Sequence, residues 1–367
     1  MLVVYPRGAD GRPFRSVPRK TERKDDTMKP MKQVFAAVLA CLLVLSAGVV
    51  QASAASSPFA DVPASHWACQ DILAAKEKGF VDGVGGSRFA PEGTVTYAQF
   101  VTMLVRACGN APSAGQGGAL WYLPYMQAAE KAGLLTGTKV ASSDTWNTTC
   151  VQAINRYEMA LLLNNVLTAK QIAAANLDQD AIASQITDAA QIPAAYRQAV
   201  FTCYHHGILN GMENDAFAGS ASMTRAQACA VLMRMDRLLT TASWEQEVFL
   251  LVNQIRQDYG LPAFVYDPTL AAVARAHSQD MIDRNFFSHQ NPDGASPADR
   301  ISAAGIRWRQ CAENIAAGYP SPEAVVAGWM ASPGHRANIL GSCQRLGVGL
   351  AVGGSYQYYW TQCFATY

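Results

Sequence analysis

Charge is scarce in this chain. Only 16% of its 367 residues are Asp, Glu, Lys or Arg, whereas 50% are hydrophobic, and the formal net charge is +1. That balance excludes a disordered chain and supplies apolar material for more than one folded core. The length, about two and a half typical domains, points the same way. Positive charge is concentrated at one end: residues 1–54 hold nine Lys/Arg and four Asp/Glu, leaving twenty against twenty-four in the rest. A mildly acidic body without a Lys/Arg-rich run excludes nucleic acid as a partner. Histidine is sparse too, six residues in all, and no compact ligand motif such as His-Glu-x-x-His occurs.

The basic excess belongs to a leader. Lys29 and Lys32 precede an apolar run over residues 34–50, followed by Ala52-Ser53-Ala54. This pattern predicts a secretory signal peptide cleaved after Ala54, with membrane contact only in transit. The run lies at the lower limit for a spanning helix, so a retained anchor is the weaker alternative. Nine more mostly apolar residues follow Cys41, which excludes a lipoprotein reading of Val38-Leu39-Ala40-Cys41. Residues 1–27 are set outside the fold, with Met28 or Met31 as the expected start. Of nine cysteines, Cys41 leaves with the signal. An exported chain permits disulfides among the other eight, although these allow 105 pairings.

Three repeats fill the next part of the chain. Gly79-Phe80-Val81-Asp82-Gly83, Gly133-Leu134-Leu135-Thr136-Gly137 and Gly207-Ile208-Leu209-Asn210-Gly211 share one pattern, each after a stretch of helical periodicity. The leading glycines suit a left-handed helix stop. A second helix start follows each, with Thr96, Asn155 and Thr224 as N-caps and Glu158 placed to close a capping box. Residues 169–185, between repeats two and three, fit either a continued helix or an insertion.

These units resemble the S-layer homology module of bacterial surfaces. The first carries Phe59-Ala60-Asp61-Val62, His66-Trp67-Ala68, Phe89-Ala90-Pro91 and Val95-Thr96-Tyr97-Ala98-Gln99. The third carries Ile186-Thr187-Asp188 and Thr224-Arg225-Ala226-Gln227, and the second Trp121-Tyr122 and Asn155-Arg156-Tyr157-Glu158. The resemblance implies an α-helical triplet about a pseudo-threefold axis, spanning residues 55–110, 111–168 and 169–240. It also implies a partner, secondary cell-wall polysaccharide bearing pyruvate ketals. An Arg fork suits the ketal carboxylate, so Arg156 and Arg225 are the expected contacts. Asp61, Asp188 and Trp67 are expected to brace or rim the pocket. Tyr97 stands where the family carries Arg, which puts binding at the first groove in doubt.

A boundary is expected at Thr240-Thr241-Ala242-Ser243. Beyond it, residues 244–259 show one apolar helical face, Asp267-Pro268 and Ser321-Pro322 open further helices, and residues 346–352 and 356–364 read as a hairpin. A turn centred on Gly353 would oppose Cys343 and Cys363, the best disulfide pair.

Residues 244–367 resemble the bacterial branch of the CAP superfamily, named for cysteine-rich secretory proteins, antigen 5 and pathogenesis-related proteins. The motifs are Ala276-His277-Ser278, Phe286-Phe287-Ser288-His289, Ala312-Glu313-Asn314-Ile315, Trp329-Met330-Ala331-Ser332-Pro333-Gly334-His335-Arg336 and Tyr359-Trp360-Thr361-Gln362. The resemblance implies an α/β fold, an α-β-α sandwich with a cleft. Its two His map to His289 and His335 and its first Glu to Glu313, while Ser332 replaces the second Glu. Two imidazoles and a carboxylate suit Zn²⁺ or another divalent metal. They equally suit proton transfer, or an inert hydrogen-bonded cluster. His277 falls on its helix's buried stripe and reads as structural. Together these features describe an exported protein held non-covalently on the wall and displaying a domain for an extracellular ligand. The alternatives are a wall hydrolase and a structural envelope component.

Overall fold

The computed structural model describes residues 4–6, 57–112, 120–172 and 177–367. The signal peptide expected from the sequence lies outside them.

Three helical units come first. Unit one holds α1 (Cys69–Glu77) and α2 (Tyr97–Ala107). Unit two holds α3 (Leu123–Lys131), the single turn α4 (Trp146–Thr149) and α5 (Arg156–Ala169). Unit three holds α6 (Gln179–Ala183), α7 (Ala194–His205) and the beginning of α8 (Arg225–Asp258). The glycines end helices as their pattern requires: Gly79, Gly133 and Gly207 have φ of 73°, 72° and 64°. Segment 169–185 does not extend a helix, because α5 stops at Ala169 and the short α6 forms later in it.

Backbone amides close the units into a ring. Tyr97 and Ala98 donate to the carbonyls of Gln152 and Cys150, and Arg156 and Tyr157 to those of Ala221 and Gly219. Arg225 and Ala226 donate to Gly93 and Pro91, back in unit one. Each helix start thereby finds, in its neighbour's carbonyls, acceptors for two of its own otherwise orphaned N–H groups. One apolar core, including Val62, Phe100, Leu163 and Met235, runs through all three units.

The N-caps are Thr96, Asn155 and Thr224. Gln99 and Gln227 complete capping boxes in units one and three. Glu158 does not: its carboxylate accepts instead from the Lys139 amide at 2.9 Å and the Tyr196 hydroxyl at 2.8 Å.

No break occurs at the expected boundary. Helix α8 runs 34 residues without interruption, and Thr240, Thr241 and Ala242 are half-buried within it. Packing nucleates helix on both sides of this weakly helical stretch, and adding residues to an existing helix is cheap where starting one is not.

Beyond α8 come β2 (Val265–Tyr266), α9 (Pro268–Asp283), α10 (Pro297–Ala303) and β3 (Gln310–Ala317). Then follow α11 (Pro322–Ala331), α12 (Pro333–Ile339), β4 (Arg345–Gly353) and β5 (Gln357–Thr366). With β1 (Val4–Pro6) the sheet order is β1-β3-β5-β4-β2, parallel only between β2 and β4. Residues 4–6 thus pair with β3, although the sequence placed them outside the fold. Leu346, Val348 and Leu350 face Val248, Val252 and Trp329 of α8 and α11. Gly347 and Gly349 face α9 so closely that a Cβ on either would run into its backbone. The result is a sheet between helical layers.

The hairpin register corrects the disulfide expectation. Gly353 pairs with Gln357 across a three-residue turn centred on Ser355, so Cys363 opposes Gly347 on β4 and Glu313 on β3. Cys343 precedes β4, and both residues are buried thiols. Burial pushes the Cys343 thiol up to about 11 and raises that of Cys363 as well. Among the described residues no helix is long and apolar enough to cross a membrane.

Candidate functional site

Two regions gather the residues singled out by sequence. The first is the ring. Asp61 accepts from the amides of Phe89 and Ala90, both at 2.8 Å, and Asp188 from those of Phe217 and Ala218 at 2.6 and 2.9 Å. Ala90 and Ala218 sit at φ of 58° and 51°, so each carboxylate braces a strained left-handed turn. These bonds, the one to Phe89 foremost, hold the Asp61 carboxyl below its ordinary value. Both aspartates are therefore part of the frame.

The two arginines differ in what they expose. Arg156 is 4% exposed, with Nε on the Phe217 carbonyl at 2.7 Å, Nη2 on the Asn210 carbonyl at 2.6 Å and Nη1 against the Met223 sulfur. Its guanidinium is taken up internally and almost wholly buried. Arg225 makes the equivalent bonds, Nε to Phe89 and Nη2 to Asp82, yet remains half-buried in the wall of a cavity of about 300 Å³. Asp82, Gln99, Thr102, Arg106 and Trp121 also line it. Trp121, 40% exposed, takes the place that sequence reading gave to Trp67, which is 61% exposed and stacks on His66 outside this cavity. Arg106 bonds Asp82 at 2.8 Å, and the Thr102 hydroxyl is buried without a hydrogen-bond partner. At the junction of units one and two, Tyr97 stands where the other junctions hold an arginine, and it faces Glu158.

The second region lies at β3. Glu313 is fully buried, and its two oxygens are occupied: Oε1 accepts from His289 Nδ1 at 2.9 Å and Oε2 from Arg300 Nη2 at 2.7 Å. Held this way, Glu313 meets His289 at Nδ1 rather than standing beside its Nε2. Among the described residues no group of three His, Cys, Asp or Glu could hold a metal ion. In the arrangement seen, His289, His335 and Glu313 do not form such a group. What forms instead is a carboxylate–imidazole pair that turns His289 Nε2 away from Glu313.

His335 is half-buried on α12, with its backbone carbonyl held by Asn314 Nδ2 at 3.2 Å. Burial foremost, with His289 nearby, depresses its pKa. His277 is buried and structural, its Nε2 on the Ser288 carbonyl at 3.0 Å. Ser332 lies at the break between α11 and α12. Asn338 Nδ2 bonds the Glu313 carbonyl and Asn314 Oδ1, and Gln362 accepts from Asn314, tying β3, α12 and β5 together. Sequence reading quoted Asn314 and Gln362 within motifs without assigning them a role. It missed Arg300 altogether, because nothing in the spacing from Arg300 to Glu313 signals their contact.

A chain with a closed helical ring and a helix-flanked sheet is a two-module protein. Residues 249–364 match the profile of the cysteine-rich secretory protein family (CAP), and residues 58–101 and 185–229 match that of the S-layer homology domain. The chain therefore combines S-layer homology domains with a CAP domain, an architecture of the cell wall or cell surface. Protein YkwD of Bacillus subtilis is 44% identical over 126 residues, covering 34% of this chain and 48% of that protein. The S-layer protein sap of Bacillus anthracis is 36% identical over 114 residues, covering 29% and 14%. A solved extracellular protein with an SCP domain from Bacillus anthracis is 34% identical, covers 36% of this chain and 43% of that one, and gives a TM-score of 0.33. The chain thus spans about half the length of the first relative and far less of the second.

Proposed function

We propose that the chain is anchored non-covalently to secondary cell-wall polysaccharide by a ring of three S-layer homology modules, and holds out a CAP domain that binds an extracellular ligand. The middle unit, though outside the matched residues, has the same backbone links as its neighbours. Its membership in the ring supports reading it as the third module. The observation that carries the anchoring reading is the Arg225 cavity, where a guanidinium, an exposed tryptophan and polar side chains converge. Carbonyls hold Arg225 Nε and Nη2, but its half-buried guanidinium lines the cavity and can meet a pyruvate ketal carboxylate with its remaining N–H groups, while Trp121 offers a sugar ring a flat apolar face. Tyr97 beside Glu158 disfavours an anion at the first junction, and Arg156 has no fork to offer at the second. One groove of the three binds on this reading.

The full chain should sediment with purified bacterial walls and be released from walls stripped of pyruvate. Failure to bind either preparation would overturn the anchoring claim.

For the CAP domain we infer ligand binding without turnover, with the part-exposed His289 and half-buried His335 as its candidate contacts. A second reading, acid/base hydrolysis of wall peptide or glycan, draws on the 2.9 Å His289–Glu313 bond, which leaves Nε2 able to take a proton. Turnover of solubilised wall fragments, lost in His289→Ala and His335→Ala, would favour the hydrolase. Assembly of the chain into sheets would favour a structural role.

A further inference from the structure

The loop carrying His289 is held from two sides. His277 of α9 donates through Nε2 to the Ser288 carbonyl at 3.0 Å. The next carbonyl, that of His289 itself, accepts from Arg300 Nη1 at 2.9 Å, and the same nitrogen reaches the Ala295 carbonyl at 3.0 Å. Arg300 Nη2 meanwhile bonds Glu313 Oε2, while the other oxygen of that carboxylate grips the His289 ring. One guanidinium therefore touches both the backbone of His289 and the acid that sets its side chain.

Arg300 is itself well fixed. It lies on α10, whose start is locked by a capping box between Ser296 and Asp299 and by Pro297. Its Nε is buried without a partner, so it is kept in place by its two outer nitrogens. Glu313 needs this cation: its remaining neighbours are imidazoles and the Cys363 thiol, 4.0 Å from Oε2. A planar fork places two separate nitrogens, one on the carboxylate and one on the two carbonyls, a span that the single nitrogen of an ammonium does not match.

We propose that Arg300 is the positioning residue of the CAP cleft, fixing the His289 main chain and the Glu313 carboxylate together so that His289 holds its proton on Nδ1 and presents Nε2 to the ligand. The proposal rests on the reading of this cleft as a binding site. It assigns Arg300 no contact with the ligand.

The test uses the full chain labelled with ¹⁵N-histidine. Long-range ¹⁵N–¹H spectra report the tautomer, and the ring of His289 is identified by its absence in His289→Ala. The wild type should show protonated Nδ1 and bare Nε2. In Arg300→Met this signature should give way to a mixture of tautomers, whereas a folded Arg300→Met that keeps it would overturn the proposal. Should that variant not fold, Arg300→Lys decides through hydrogen exchange. Lysine has one nitrogen where arginine places two, so it cannot span the Glu313 carboxylate and the 289 and 295 carbonyls together, and amides of residues 289–295 should exchange about tenfold faster while those of β3 stay protected. Unchanged exchange there would equally overturn the proposal. Capture of solubilised wall fragments tests the binding reading separately: if His289→Ala captures them as well as wild type, that reading falls while the tautomer result stands.

Discussion

Glu245 of α8 and Arg275 of α9 form a two-pronged ion pair, with Nε 2.8 and 2.9 Å from the two carboxylate oxygens and Nη2 2.7 Å from Oε2. Glu245 is almost wholly buried and also accepts from the Leu350 amide at 2.8 Å, on the β4 edge beyond the short β2. It therefore joins the helix leaving the ring to both α9 and the sheet. Arg275→Met leaves a buried carboxylate unpaired and should cost about 3 kcal/mol or more. Glu245→Gln, which can still accept from Leu350, should cost less. Urea unfolding of both variants checks the order, and equal losses would contradict it.

Continuity of α8 has its own consequence. Thr241→Pro removes a backbone hydrogen bond and clashes one turn back, at a cost of about 3 kcal/mol. The ring and CAP cores lie on either side of this position and should remain folded. Small-angle scattering should then change from one arrangement of the two modules to a broad ensemble. Identical curves for wild type and variant would show that the helix is not what sets the arrangement.

Close approach of α9 to β4 depends on two missing side chains. Gly349→Ala would place a methyl against the backbone of Ala274 and Arg275. The helix must move away, and the expected loss is about 3 kcal/mol, at the upper end for overpacking. A melting temperature within a degree or two of wild type would refute this packing.

Much of this architecture was legible because it is local. The helix-ending glycines, the three N-caps, the Asp267-Pro268 and Ser321-Pro322 helix starts and the final hairpin are each decided within a few residues. What escaped was set by distant partners. Arg156 looked like a ligand contact until ring closure delivered the carbonyls of Phe217 and Asn210 to it. Glu158 left its capping box for Lys139 and Tyr196. Gly353 suggested the hairpin's centre, yet the turn lies two residues later and undoes the Cys343–Cys363 pairing. In the CAP domain, His289 and Glu313 were found by motif, whereas Arg300 became visible only once α10 was placed beside β3.

Acid should weaken the fold through its histidines. Loss of solvent, then the neighbouring His205 and Arg275, pulls His206 down to about 4. Its value in the unfolded chain is about 6.5. Between these values the unfolded chain binds the extra proton, so stability is complete above the window and declines as pH falls through it. His277, depressed foremost by burial, acts in the same direction. Chemical unfolding at pH 7 and pH 4.5 should show the decline, and His206→Gln should reduce it. A decline of the same size in His206→Gln would remove this residue from the explanation.

The account turns on one working groove in a ring of three modules. Titration calorimetry of a pyruvylated disaccharide from wall polysaccharide into the full chain counts the grooves directly. One site per chain, abolished by Arg225→Ala and preserved in Tyr97→Phe, is the predicted result. Two or three sites, or a single site indifferent to Arg225→Ala, would contradict it.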